Sequence, residues 1–291
     1  MPELPEVETI RRGLEHHLVG DVFSGVNVLR KQSIEFPSAS DFAKKLPGHR
    51  IIGVQRRGKY ILINLDRGAG LAVHLRMSGR LIVAARKTEP SSFLRVVMPL
   101  ESGRELRFED MRVFGRLWYI PAGKSFAEVI PALKELGVEP LEDLNAIYLR
   151  EAFSRRRQCI KAALIDQTII AGIGNIYADE ALFHAGIHPE TSASALKAGQ
   201  LERLCVAIGD VLSNAIKLGG STLRDYTNSE GVNGNYQHSA WVYGRKGEAC
   251  RVCSGLIERV KIAGRSSHFC RHCQPRKRAA GKHSAKSRTM R

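Results

Sequence analysis

Four of the six cysteines fall in two Cys-x-x-Cys pairs, Cys250-Arg251-Val252-Cys253 and Cys270-Arg271-His272-Cys273, and no other feature restricts the fold so tightly. The spacing is that of a structural zinc ribbon, in which four thiolates close a tetrahedron and leave no open catalytic position. The expectation is one Zn2+ held by Cys250, Cys253, Cys270 and Cys273, with a hairpin between the pairs that projects Arg259, Lys261 and Arg265. His268 and His272 are spare ligands that a complete thiolate set does not need. Cys159 and Cys205 stand alone in helical-looking sequence, a pattern of a reducing compartment rather than of a disulfide framework.

Length and charge narrow the rest. A chain of 291 residues with 43% hydrophobic content reads as two domains plus a small appendage. Its formal net charge of +16 points to a polyanionic partner. Nucleic acid leads over an anionic membrane surface, because the basic residues are spread over several segments instead of lining one amphipathic helix. No apolar run approaches the ~20 residues of a membrane span, and the acidic N-terminus lacks the apolar core of a signal peptide, so the expected location is cytoplasmic.

The opening Met1-Pro2-Glu3-Leu4-Pro5-Glu6 carries a chemical suggestion. Loss of Met1 would expose a secondary amine beside a carboxylate. An α-amine titrates near ~8 against ~10.4 for lysine, so it is the better nucleophile at neutral pH. Condensation with an aldehyde-like carbon gives a charged iminium, and Glu3 stands ready for proton transfer. Pro5 suits a first helical turn, and Val7, Ile10, Leu14 and Leu18 follow at helical spacing. The bland reading is an ordinary helix start with acidic dipole complements.

From about 22 to 120 the chain reads as short strands: 22–29, 50–54, 60–65, 71–74, 81–83, 94–98, 105–108 and 117–120, a β-sandwich or barrel with the first helix at its edge. Three loops carry more than a sandwich needs. Lys59, in Arg56-Arg57-Gly58-Lys59-Tyr60, faces either a phosphate or solvent. Met77, and Arg112 with Phe114, lie beside turn glycines, where apolar wedges fill the gap left by an extruded base, or where they are plain core. Residues about 121–147 read as a linker. Helices are expected over 149–159, 160–166, 176–184 and 195–218. Ala171-Gly172-Ile173-Gly174-Asn175 fails as a dinucleotide fingerprint and reads instead as tight turns bringing Asn175 to a helix N-terminus, where free amides bind phosphate. Arg155, Arg156, Arg157 and Lys161 form either a solvated run or a DNA-facing cluster. The polar stretch 221–240 has the character of a lid, and the basic tail that of a disordered, non-specific DNA binder.

Taken together, the Pro2–Thr9 opening, Ala171–Ala178, Val242-Tyr243-Gly244-Arg245-Lys246-Gly247 and the four cysteines resemble the formamidopyrimidine-DNA glycosylase (Fpg/Nei) superfamily, over Met1 to about Cys273. The resemblance implies an α+β multidomain fold: an N-terminal helix plus β-sandwich, a helix-two-turn-helix domain and a four-cysteine zinc-ribbon finger. The corresponding boundaries are 1–135, a linker at 136–147, 148–240 with a lesion-recognition loop, 241–275 for the finger, and a tail at 276–291. It implies a monomeric DNA repair enzyme, with no membrane role, that binds damaged double-stranded DNA, excises oxidised purines such as 8-oxoguanine and formamidopyrimidines, and cuts the strand by β,δ-elimination. By matched position Pro2 is the nucleophile toward deoxyribose C1′, Glu3 the proton donor and Glu6 a helper in proton transfer. Lys59 assists β-elimination and Arg265 δ-elimination. Met77, Arg112 and Phe114 fill the void, and Asn175 contacts phosphate. Pro90-Ser91-Ser92-Phe93 replaces a histidine pair common in the family, leaving Ser91 as the candidate contact. Val113 replaces a basic residue, and Arg224 stands where a lysine is frequent. The Leu4 opening and the 221–240 loop favour the purine-specific branch over its pyrimidine-specific sister.

Overall fold

The computed structural model describes residues 1–221 and 236–276. Helix α1 (Leu4–Leu18) opens the chain with proline in its first turn and a reciprocal capping box between Glu3 and Glu6. Two sheets follow, made from β1 (Asn27–Val28), β2 (Ile34–Phe36), β3 (Ile51–Arg57), β4 (Tyr60–Leu65), β5 (Gly70–His74), β6 (Gly79–Ala85), β7 (Leu94–Pro99), β8 (Arg104–Asp110) and β9 (Arg116–Ile120), with helix α2 (Ala39–Lys45) between β2 and β3. One sheet has the order β2-β9-β5-β4-β3 and the other β1-β7-β8-β6. All pairings in them are antiparallel except β2 with β9. The expected sandwich is present. Its core lies between the sheets, where Ile61, Ile63, Val73 and Leu117 meet Leu81, Val96, Leu106 and Phe108. The five-stranded sheet is buried on its other face too, as Tyr60, Leu62, Ala72 and Trp118 pack under Ile130 and Leu133. That double burial explains the nearly unbroken apolar run of β4.

Some elements differ from the sequence expectation. The anticipated strand over 22–29 is reduced to isolated bridges at Val22 and Phe23 and to the short β1. Neither β2 nor α2 was expected. α2 is capped by Ser38, whose hydroxyl accepts the Asp41 N–H at 3.1 Å, and it buries Phe42. A helix of that length is set by such packing and not by its own propensity.

After α3 (Phe126–Val129) the chain enters a helical unit with α4 (Ala146–Phe153), α5 (Ile160–Leu164), α6 (Asn175–His184) and α7 (Ala198–Lys217). α4 stops at Phe153, short of its expected limit at 159, because its apolar stripe of Leu149 and Phe153 is not continued. Cys159 is extended and caps α5. The finger hairpin, β10 (Ile257–Ile262) with β11 (Arg265–Cys270), packs its Ile257 against Phe183 and Val242. Among the described residues no helix is long and apolar enough to cross a membrane.

α1 joins the two large cores. Val7, Ile10, Leu14 and Leu18 belong to the sandwich, whereas Leu4 is fully buried in the helical core. The glycines of the 171–175 turn make this possible. A Cβ on Gly172 would lie 2.8 Å from Leu4 Cβ, and one on Gly174 would lie 2.3 Å from Glu3 Cδ. Gly174→Ala is therefore expected to lower stability by about 1–3 kcal/mol through overpacking. Gly209→Ala, in α7 with nothing within 4 Å of its added Cβ, should raise stability by about 0.5–1 kcal/mol. Thermal melting of the two variants checks both signs.

Candidate active site

The start of α1 and the start of α6 meet end to end. The Glu3 carboxylate accepts the N–H groups of Gly174 at 2.9 Å, Ile176 at 3.0 Å and Tyr177 at 3.4 Å. The helix amides expected to receive a phosphate are thus filled by a carboxylate of the chain itself, which the α6 dipole also favours. Asn175 sits at this turn with its side-chain Oδ1 buried and without a hydrogen-bond partner. Burial raises the Tyr243 phenol above its usual range, and the neighbouring Asn175 side chain opposes that shift.

Pro2 and Glu6 are buried at the same point. Glu6 accepts the Glu3 N–H at 2.8 Å, the Ser221 N–H at 2.7 Å and the Tyr177 hydroxyl. Complete burial, reinforced by the nearby Glu3 charge, pushes the Glu6 carboxyl up to about 7, against the pull of these donors. The Pro2 nitrogen is an amine only once Met1 is gone. The Met1 α-ammonium is held below its usual range mainly by burial, and Glu3 and Glu6 oppose that shift while Lys59 and Arg112 add to it.

Lys59 is buried at the end of the β3–β4 turn, and its Nζ donates to the Ile173 carbonyl at 3.1 Å. Burial holds its ammonium below the ordinary lysine range. Glu3 opposes this, Arg265 contributes to it, and Glu6 opposes it. Lys59 of the sandwich thus faces both carboxylates and lies within the field of Arg265 from the finger. The neighbouring arginines are engaged elsewhere. Arg56 and Arg57 reach Glu139 at 2.6 and 2.9 Å, and Arg57 also donates to the carbonyls of Leu136 and Gly137.

Lys161 does not join a DNA-facing cluster in this structure. It is 1% exposed, and its Nζ donates to Asp179 at 2.5 Å and to the Asn175 carbonyl at 2.6 Å. Arg156 is half-buried, with Asp166 at 3.3 Å, whereas Arg155 and Arg157 are exposed. Asp179 also accepts the Ser267 hydroxyl at 2.7 Å and the His268 N–H at 2.9 Å, so it fixes the hairpin that carries Arg265. Its neighbour Glu180 accepts the N–H groups of Trp241, Val242 and Tyr243 at 2.8–2.9 Å. Neither carboxylate stood out in the sequence. The available signal was an acidic pair within a helix whose other residues are nearly all apolar.

The wedge candidates lie on two adjacent loops. Met77 is 44% exposed and Phe114 52% exposed, which removes the core alternative for both. The Arg112 guanidinium stands 5.9 Å from the Phe114 ring centre. His74, at the root of the first loop, is pushed down to about 3, mainly by burial and further by Arg76 and Lys59. Its neutral Nδ1 accepts the Arg76 N–H at 3.0 Å. Ser91 accepts the Phe93 N–H at 3.1 Å, on the loop preceding β7. Arg224 and most of the 221–240 stretch lie outside the described residues, as does the basic tail from 277.

At the finger, the sulfurs of Cys250, Cys253, Cys270 and Cys273 all lie within 4.8 Å of one another. Cys253 and Cys270 are 3.4 Å apart, and Cys250 and Cys273 are 3.8 Å apart. A tetrahedral site with about 2.3 Å metal–sulfur bonds has sulfur–sulfur edges of roughly 3.8 Å, so the donor set fits a closed metal site.

Comparison with known proteins agrees with this arrangement. Residues 1–117 match the formamidopyrimidine-DNA glycosylase N-terminal domain, residues 136–227 the H2TH domain of the same enzyme, and residues 247–276 a zinc finger found in FPG and IleRS. The chain is 51% identical to the formamidopyrimidine-DNA glycosylase of Gloeobacter violaceus, over 94% of this chain and 98% of that protein. It is 49% identical to that of Synechococcus elongatus, over 97% and 100%. Among solved structures, a Lactococcus lactis Fpg complex with DNA containing an abasic site superposes with a TM-score of 0.87 at 36% identity, covering 94% of this chain and all of that one. A complex of a glycine-to-proline mutant of that enzyme with DNA containing Fapy-dG gives the same TM-score at 35% identity and the same coverage.

The Glu6 shift has a defined sign. Its folded value lies above its unfolded one, so its contribution to stability is full below about 4.5 and is lost as pH rises toward about 7. The loss is roughly 3 kcal/mol. Glu6→Gln should flatten the decline in melting temperature between about pH 5 and pH 8. Parallel curves for the two proteins would refute the assignment.

Proposed function

Because the chain belongs to the formamidopyrimidine-DNA glycosylase family, we propose that it is a bifunctional DNA glycosylase and abasic-site lyase acting on oxidised purines, with Pro2 as its nucleophile. The observation that carries this reading is the burial of Pro2, Glu3 and Glu6 where the sandwich and helical unit meet, within the field of Lys59, which Arg265 of the finger approaches in turn. Titratable groups with opposed environments concentrated at one junction mark a catalytic centre.

In this reading DNA lies between the units, and the lesion nucleotide is turned out of the stack. Met77, Arg112 and Phe114 enter the space it leaves, with Arg112 facing the orphaned cytosine. The Pro2 nitrogen attacks deoxyribose C1′ and the bond from C1′ to the base breaks. The departing base takes a proton from water. Glu3, oriented by three amides, takes the proton that the Pro2 nitrogen sheds on bonding to C1′ and passes it to the ring oxygen, so that the sugar opens to an iminium. Glu6 takes part in proton transfer around this nitrogen. Loss of a C2′ proton then expels the 3′ phosphate, with Lys59 beside it. A second elimination expels the 5′ phosphate, which Arg265 holds. Water hydrolyses the iminium and frees Pro2. Asn175 and Ser91 contact the backbone, and Arg224 belongs to the lesion loop. The thiolates of Cys250, Cys253, Cys270 and Cys273 hold one zinc ion, whose role is to fold the finger and so place Arg265. The protein works as a monomer in the cytoplasm, on the nucleoid.

Borohydride added during incubation with an 8-oxoguanine duplex should trap a covalent complex with the Met1-free protein. Retention of Met1, or Pro2→Gly, should reduce trapping by on the order of a hundredfold or more. Absence of a trapped species with any damaged or abasic DNA would end the enzyme reading. Glu3→Gln should bind the duplex yet fail to release the base. Removal of the metal by a chelator should release one zinc per chain and weaken DNA binding at least about tenfold. Unchanged affinity after complete metal loss would show that the finger does not work as described.

A further inference from the structure

The wedge side chains pose a mechanical problem. Met77 and Phe114 are about half exposed, so packing does not hold them. Their positions come from the backbone of two loops, 75–78 between β5 and β6 and 111–115 between β8 and β9. Both loops cross from one sheet to the other at neighbouring strands, since β5 pairs with β9 and β6 with β8. A single carboxylate lies between them. Asp110 is fully buried at the end of β8, opposite Gly79. Its Oδ1 accepts the Ser78 hydroxyl of the first loop at 2.5 Å and the Arg112 N–H of the second at 3.1 Å. Its Oδ2 accepts the Gly115 N–H at 2.7 Å. The Ser78 oxygen itself accepts the Arg112 N–H at 3.1 Å, which closes a three-residue ring of hydrogen bonds.

The bonds to Arg112 and Gly115 bracket Val113, whose φ of 57° lies in the left-handed region that a β-branched residue avoids. Such a conformation persists only where the surroundings over-determine it. Here they do: the Val113 carbonyl accepts from Arg116 at 3.0 Å, and a Cβ on Gly115 would meet Phe108 at 2.5 Å. Arg112 and Phe114 flank this one residue. We infer that Asp110 is a positioning residue that locks the two void-filling loops into one rigid unit, so that Met77, Arg112 and Phe114 enter the duplex together. This rests on the void-filling role proposed above and adds the group that enforces it. Asp110 touches neither DNA nor the reacting atoms.

The test separates duplex entry from chemistry. Asp110→Asn keeps the shape but turns an amide donor toward either Gly115 N–H or the Ser78 and Arg112 pair. Ser78→Ala removes one arm of the ring more gently. Single-turnover excision from an 8-oxoguanine duplex should fall about tenfold or more in Asp110→Asn, and less in Ser78→Ala, as expected for a lost hydrogen bond to a buried charge. Borohydride trapping on a single-stranded abasic oligonucleotide, which has no void to fill, should match the parent protein for both variants. Wild-type excision rates in both variants, or duplex and single-strand yields falling in step, would overturn the inference. If Asp110→Asn fails to fold, Ser78→Ala decides by the same comparison. A parent protein that traps on neither substrate overturns the proposed function itself, an outcome distinct from either of these.

Discussion

The Glu3 carboxylate at the N-terminus of α6 is the interaction on which the rest of the structure depends. It joins the first residues of the chain to a turn 171 residues later, and it does so through backbone amides whose direction the helix fixes. Charge-assisted hydrogen bonds to amides are among the stronger ones available to a folded chain. Leu4, immediately next, secures the same junction by apolar burial and by a 3.0 Å bond from its N–H to the Gly172 carbonyl. Position and orientation of the terminus are therefore set by separate forces, one apolar and one directional.

α6 distributes this order to the remaining units. Ile176–Phe183 are all buried, so the helix has no solvent face and serves as an internal strut. Glu3 docks at its start, Asp179 holds Lys161 and the finger hairpin, and Glu180 collects the amides of 241–243. Buried charges of this sort contribute little net stability when paired, but removal of one partner costs about 3–5 kcal/mol because it strands the other. Their value here is geometric. Lys59 from the sandwich meets the Ile173 carbonyl just ahead of this helix, and Arg265 comes near Lys59 because the hairpin that carries it is fastened to Asp179.

Much of this was legible in the sequence, and particular residues show why the rest was not. The period of Val7, Ile10, Leu14 and Leu18 disclosed the buried face of α1, and the cysteine spacing disclosed the finger, because each pattern reflects a local geometric rule. Gly172 and Gly174 were visible as turn residues, yet their actual demand, close approach of Leu4 and Glu3, is a long-range contact with no local signature. Lys161 looked like part of a basic run, since nothing near it in sequence announces Asp179. β2 and α2 escaped for the same reason: their few residues are held by the neighbours they pack against. Met77 and Phe114 were ambiguous between core and wedge, because a large apolar side chain has the same letter in either place and only its exposure decides.

The junction at α1 also bears on how the protein is made. A ribosome releases Glu3 and Glu6 long before Gly174, Tyr177 and Ser221 exist, so the first helix can settle against the sandwich while its leading turn waits for partners. The leading turn of α1 is thus made before its partners and is completed only once the helical unit exists. A nascent or truncated chain lacking the helical unit holds Glu3 and Glu6 without the amides and the hydroxyl that orient their carboxylates.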